Sequence, residues 1–162
     1  MAASLSVRVY TGSAAGTESA VVTGIDLESA DNATNTLGNR QANPITVGTN
    51  SYEKWLKLKV DTAPANAVTN FKIWGDGAVM TSTTLNWTGA YVTGTTPVTT
   101  ASSIANTTFT NFTAGNKGTW DSASYSATAA TTKYSVFQLV VDATAGPGNW
   151  TQETISFSYD ET

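Results

Sequence analysis

The sequence predicts an all-β fold, a single antiparallel β-sandwich of jelly-roll-like order over residues 1–162, and three observations predict it. Apolar residues alternate with polar ones in several short stretches, the signature of strands with one buried face. Gly, Pro, Asn and Asp punctuate those stretches at short intervals. No twelve-residue window carries a 3.6-residue apolar period. Composition agrees: 30 Thr, 15 Ser, 12 Asn and 22 Ala fill 79 of the 162 positions, while 10% of residues are aromatic. Thr and the aromatics suit a pleated, half-buried surface, and Ser, Asn and Thr are indifferent to helices.

The elements follow in order. Leu5, Val7 and Val9 alternate with Ser4, Ser6, Arg8 and Tyr10, a first strand. A Gly/Ala/Thr-rich stretch over 11–20 leads to Val21, Val22 and Ile25, and the polar segment 26–43 reads as a loop. Pro44 opens a short run through Ile45 and Val47. The first 50 residues are therefore the less regular part, with long loops. Residues 51–60 place Leu56, Leu58 and Val60 on one face and Trp55, Lys57 and Lys59 on the other. A turn over 61–66 leads to a strand at 68–74, with Phe71 and Ile73 inward and Lys72 and Trp74 outward. Gly75-Asp76-Gly77 tolerates positive φ and predicts a hairpin into Ala78-Val79-Met80. Shorter strands are expected at 84–87, 90–93, 107–113 and 120–126. Residues 134–142 are apolar on both faces, as a central strand covered on both sides must be. A Gly-Pro-Gly loop then precedes an alternating strand at 150–159.

Composition also excludes functions. The chain has no cysteine and no histidine, so disulfides, thiolate metal sites and Ser-His-Asp or Cys-His catalysis are closed to it. A net charge of −4 opposes binding to nucleic acid or anionic membranes, which call for clustered Lys and Arg. The start lacks the basic and apolar regions of a secretory signal, and no run approaches the length of a membrane span. The expected place of synthesis is the cytoplasm.

Few residues offer chemistry. Glycoside hydrolysis needs only two carboxylates, and Asp76 and Asp121, near Trp74 and Trp120, are the pair to nominate; a turn aspartate and a surface aspartate explain them as well. Asp26, Glu28, Asp31 and Asn32 space oxygens along a loop but lack the glycine and final glutamate of an EF-hand, so they read as an acidic loop. No catalytic residue, cofactor or metal is expected. Exposed indoles can stack on the apolar face of a sugar. Trp55 and Trp74, on the lysine-bearing sides of their strands, are the candidate glycan contacts, unless lysine stems or a second layer cover them. Trp87, Trp120 and Trp150 sit at strand ends, where rings plug a sandwich core. Residues 78–116 contain 13 Thr and no charged side chain. That is either low-charge composition extended or a surface adapted to a neutral partner. In the second reading Trp87 and Tyr91 are the partner-contact anchors.

Two stretches, LKLKVDTAPANAVTNFKIW at 56–74 and VFQLVVDATAGPGNWTQETISFSYDET at 136–162, resemble small β-sandwich virion proteins of tailed bacteriophages. The similarity covers residues 51–162 and includes no catalytic or ligand-binding motif. It implies a non-enzymatic structural protein located in the virion, foremost a capsid decoration protein that binds and stabilises the outer shell. Its partner would be the major capsid protein or another virion protein, with self-association as a further option. The alternative is a carbohydrate-binding module of a tail or receptor-binding protein.

Overall fold

The computed structural model describes residues 2–77, 81–146 and 153–162. Strands dominate: β1 (Ser4–Thr11), β2 (Thr17–Val22), β3 (Lys54–Thr62), β4 (Val68–Gly75), β5 (Thr83–Tyr91), β6 (Thr107–Thr108), β7 (Gly118–Asp121), β8 (Tyr134–Val141) and β9 (Ile155–Glu161). They form two antiparallel sheets, one of six strands in the order β2-β1-β3-β8-β5-β6 and one of three in the order β7-β4-β9. The two-sheet, all-β class is the predicted one. A jelly-roll connectivity is a finer statement than this six-plus-three order establishes.

The core lies between the sheets. Val9, Leu56, Leu58, Val60, Leu85, Trp87, Phe137, Leu139 and Val141 from the larger sheet meet Val68, Phe71, Ile73 and Trp120 from the smaller. The alternation read for β1, β3 and β4 selects these residues correctly, because a period of two puts one set of side chains on one face. Strand β8 is buried almost throughout because both its faces are covered: Phe137, Leu139 and Val141 lie in the core between the sheets, while Tyr134 and Val136 on the other face lie in a second apolar cluster. Close approach of the sheets is visible at Gly118, where a Cβ would come within 2.9 Å of the Trp87 ring.

Several expectations need correction. Strands β3 and β4 belong to different sheets, and the 63–67 connection carries the chain across the core. Each strand has an apolar face to bury, and facing each other across the core buries both. Among the described strands β4 pairs with β7 and β9; the hairpin expected from Gly75-Asp76-Gly77 into Ala78-Val79-Met80 falls on residues outside the described ones. The two strands expected at 84–93 are one, β5, with an irregular register between Thr88 and Tyr91 and a positive φ at Ala90. Of the expected 107–113 strand only Thr107–Thr108 forms a strand, and a 3-10 turn at Phe109–Asn111 follows, driving Phe109 into the core. Strand β7 ends at Asp121, after which only an isolated bridge between Tyr125 and Val68 continues the sheet. No strand forms over residues 44–47.

The irregular N-terminal third also differs. Strand β1 pairs with β3 from Ser4 to Tyr10, well inside the sheet. Strand β2 covers the end of the Gly/Ala/Thr-rich stretch together with Val21 and Val22; it is an edge strand with mostly exposed side chains, so it shows no alternation. The loop after it contains one short helix, α1 (Leu37–Ala42), capped by Thr36, whose hydroxyl accepts from Asn39 N at 3.1 Å.

Candidate functional site

The outer face of the larger sheet carries Tyr10 from β1, Trp55 from β3, and Tyr134 and Val136 from β8, which make a second apolar cluster with Ala15 and Ala105. Trp55 does point away from the main core, as its parity with Lys57 and Lys59 predicts. It is nevertheless 0% exposed. Its ring packs edge-on against Tyr134 and Tyr91, at 5.1 and 5.6 Å between centroids, and its Nε1 donates to Glu53 Oε2 at 3.0 Å. Lys57 lies with its ammonium 4.0 Å from the Tyr134 ring centroid. The expectation of an exposed Trp55 is therefore corrected.

The second cluster lies beside a strap, residues 92–106, from the uncharged stretch. The strap has no strand of its own and is held by side chains of the sheet. Gln138 is the main fastener: its Nε2 donates to Thr100 O (2.8 Å), Val98 O (3.3 Å) and Ser51 O (3.1 Å), and its Oε1 accepts from Ser102 N (2.8 Å). Glu53 N donates to Val98 O at 3.0 Å, and its carboxylate accepts from the Ser102 hydroxyl. That hydroxyl in turn accepts from Ile104 N and Ala105 N. Near its start the strap meets the 3-10 turn at Ser13–Ala15, where Ala14 N donates to Thr96 Oγ1 and the Cα of Gly94 packs so close to Ala14 O that no side chain fits.

The other side of the strap faces solvent. Val92 is 71% exposed, Val98 is 38% exposed, and Thr93, Thr95, Thr96, Thr99, Thr100 and Ala101 are exposed around them. Tyr91 is half-buried at the margin of this surface. Trp87, its expected fellow anchor, is not there. It is 4% exposed, packed in the main core against Phe109 and Phe112, and its Nε1 donates to Ser135 Oγ at 2.6 Å. On β5 the parity of Leu85 sends Trp87 inward. Val92 and the threonines, rather than Trp87, are the exposed part of the neutral stretch.

Trp74 is half-buried on the outer face of the smaller sheet, with the Lys117 ammonium 4.2 Å from its ring centroid. The two indoles nominated together therefore belong to opposite outer faces of the sandwich. Trp120 is buried in the core, its Nε1 donating to Lys133 O at 3.2 Å; Trp150 lies outside the described residues.

The acidic groups have structural partners. Asp121 is fully buried and accepts from Lys133 N (2.8 Å), Tyr125 Oη (2.7 Å) and Ala123 N (3.0 Å). Burial alone raises a carboxyl pKa, but these donors and the Lys133 ammonium outweigh it and hold Asp121 below the usual range. Asp76 accepts from Thr154 N at 3.0 Å, beyond the end of β4. Asp121 pairs with Phe71, five residues back along the chain, so the strand rise separates the two carboxylates by about 16 Å. That is too far for the two carboxylates of a glycosidase. The acidic loop encloses an ammonium: Lys54 is 1% exposed, donates to Asn32 O (2.6 Å) and Ala30 O (3.3 Å), and lies 3.8 Å from Glu28 Oε1. Burial lowers the pKa of Lys54 and raises that of Glu28. Among the described residues no three acidic side chains converge as a metal site would require.

No family model, no curated protein and no solved structure matches this chain.

Proposed function

We propose that this chain is a non-enzymatic structural protein of a bacteriophage virion, a decoration protein that docks the outer side of its strap on an assembled capsid shell. The observation that carries the reading is the strap: an exposed surface of Val92, Val98 and six Thr or Ala residues without a charge, held from behind by Gln138 and Glu53. Docking such a surface desolvates no ion, and threonine offers a methyl group and a hydroxyl on a short, stiff side chain. A strap already fastened to a sheet gives up little conformational freedom on binding. Tyr91 at its margin is an amphipathic anchor of the kind that carries interface energy. A protein that binds only assembled shells adds its binding free energy to their stability.

Mass spectrometry of purified particles tests this reading. The expected result is a copy number in fixed ratio to the capsid subunit, with particles lacking the protein rupturing at lower temperature. A handful of copies per particle contradicts it and points to the tail. The sugar-binding alternative retains Trp74 alone, since Trp55 is buried.

A further inference from the structure

The outer face of the smaller sheet is built differently from the strap. Pairing of β4 with β7 and β9 sets Lys72 beside Thr119 on one side and Ser158 on the other, and Trp74 beside Ser156. Lys117 precedes Thr119 by two residues and reaches over the Trp74 ring. The inner positions of the same strands, Phe71, Ile73, Trp120 and Phe157, face the core, so parity places all six side chains on the outer face. The result is a platform of two rows, Lys117-Trp74-Ser156 and Thr119-Lys72-Ser158. Neighbouring strands set the rows' members about 4.8 Å apart, and alternate residues set the rows about 7 Å apart.

Charge distinguishes this face. The molecule carries net charge −4, and Arg8, Arg40, Lys54, Lys59 and Lys133 all have a carboxylate within ion-pair distance, while Lys57 is packed over tyrosine rings. Lys72 and Lys117 do not: among the described residues their contacts are Thr119 Oγ1, at 2.9 Å from Lys72 Nζ, and the Trp74 ring. Asp160, two residues beyond Ser158 on the same face of β9, keeps its charge, accepts from Asn70 Nδ2 at 2.7 Å and makes no ion pair with either lysine, so it marks the acidic end of the platform. The face therefore presents an indole, two cations without carboxylate partners and three hydroxyl-bearing side chains, and no aliphatic residue.

We infer that this platform binds an acidic polysaccharide, with a pyranose ring stacked on Trp74 and its carboxylate held by Lys72 and Lys117. The stacking uses the apolar face of the sugar against the indole, and Lys117 swings off the ring to meet the carboxylate, giving up only an exposed cation–π contact. Threonine and serine hydroxyls reach the sugar hydroxyls. A protein partner suits the face poorly, because interface cores are depleted in Lys and Ser and need an apolar anchor in a packed pocket. The inference deepens the sugar-binding alternative and does not depend on the virion reading, since it uses the opposite face of the sandwich.

Titration of the full chain with oligogalacturonate, followed by calorimetry, tests it, with the methyl-esterified oligomer as the neutral control. The expected result is saturable binding to the acid form that weakens severalfold between about 20 and about 300 mM salt. Binding should fall at least about tenfold in Trp74→Ala and in the Lys72→Gln/Lys117→Gln double variant, and stay unchanged in Lys59→Gln on the other sheet. These substitutions are on an outer face, and unchanged thermal unfolding confirms that the variants fold. Absence of binding overturns the inference, as does binding that ignores Trp74 or treats the ester and the acid alike. If Lys72→Gln/Lys117→Gln instead abolishes attachment to purified capsids, the face is a protein-docking surface and the polysaccharide assignment is wrong.

Discussion

Two tryptophans that look alike in the sequence have opposite roles in the structure. Each shares its outward face with lysines, yet Trp55 is sealed between Tyr134, Tyr91 and Glu53 while Trp74 stays at a surface. Trp55→Ala should therefore cost about 3–5 kcal/mol of folding stability, whereas Trp74→Ala should cost less than about 1 kcal/mol; urea unfolding of both variants measures the difference. Parity along β3 and β4 was legible from alternation. The cover over Trp55 was not, because it comes from residues far along the chain and has no period of its own. Asp121 gives a second prediction at this scale. Its folded pKa lies below its unfolded value of about 3.9, so its stabilisation is complete above that pH and is lost as pH falls through the folded value. Asp121→Asn should cost about 2–3 kcal/mol at pH 7 and flatten the acid limb of the stability curve, read from urea midpoints across pH.

Among the elements, two long segments without strands each lean on a buried polar side chain of the larger sheet. Gln138 on β8 fastens the strap, and Lys54 on β3 fastens the loop through the carbonyls of Ala30 and Asn32. Gln138→Ala should open the bonded amides of the strap, Ser102, Ile104 and Ala105, to hydrogen exchange while the strands of the larger sheet keep their protection. Lys54→Ala strands Glu28 in a buried site and should destabilise the fold by about 3–5 kcal/mol, measured by denaturant unfolding. Neither fastener was evident beforehand: Gln138 sits in an otherwise apolar strand and Lys54 in a lysine-rich one, and only their long-range partners give them meaning. The same limit explains why β3, β4 and β8 were legible in extent while β6 and β7 were legible only in approximate position. Long alternating runs specify their own faces, but two- and four-residue strands are defined by their neighbours.

For the molecule as a whole, the larger sheet's outer face carries the strap, uncharged over residues 92–106, and the smaller sheet's outer face carries Trp74 with Lys72 and Lys117. The uneven charge was visible in the sequence as the neutral stretch 78–116, and the described part of that stretch comprises core strand β5, the exposed strap, and β6 with the 3-10 turn after it. The two faces should respond differently to ionic strength. Docking through the strap buries no ions and should change little with salt, unlike polysaccharide binding at the lysines. The central claim is that the strap docks on a shell, and the direct test is to add purified protein to assembled capsids that lack it and count bound copies against salt concentration. The account predicts saturation at a fixed ratio to the capsid subunit, nearly independent of salt, and abolished by Val92→Asp/Thr99→Asp. No saturable binding, or binding that the aspartates leave untouched, contradicts it.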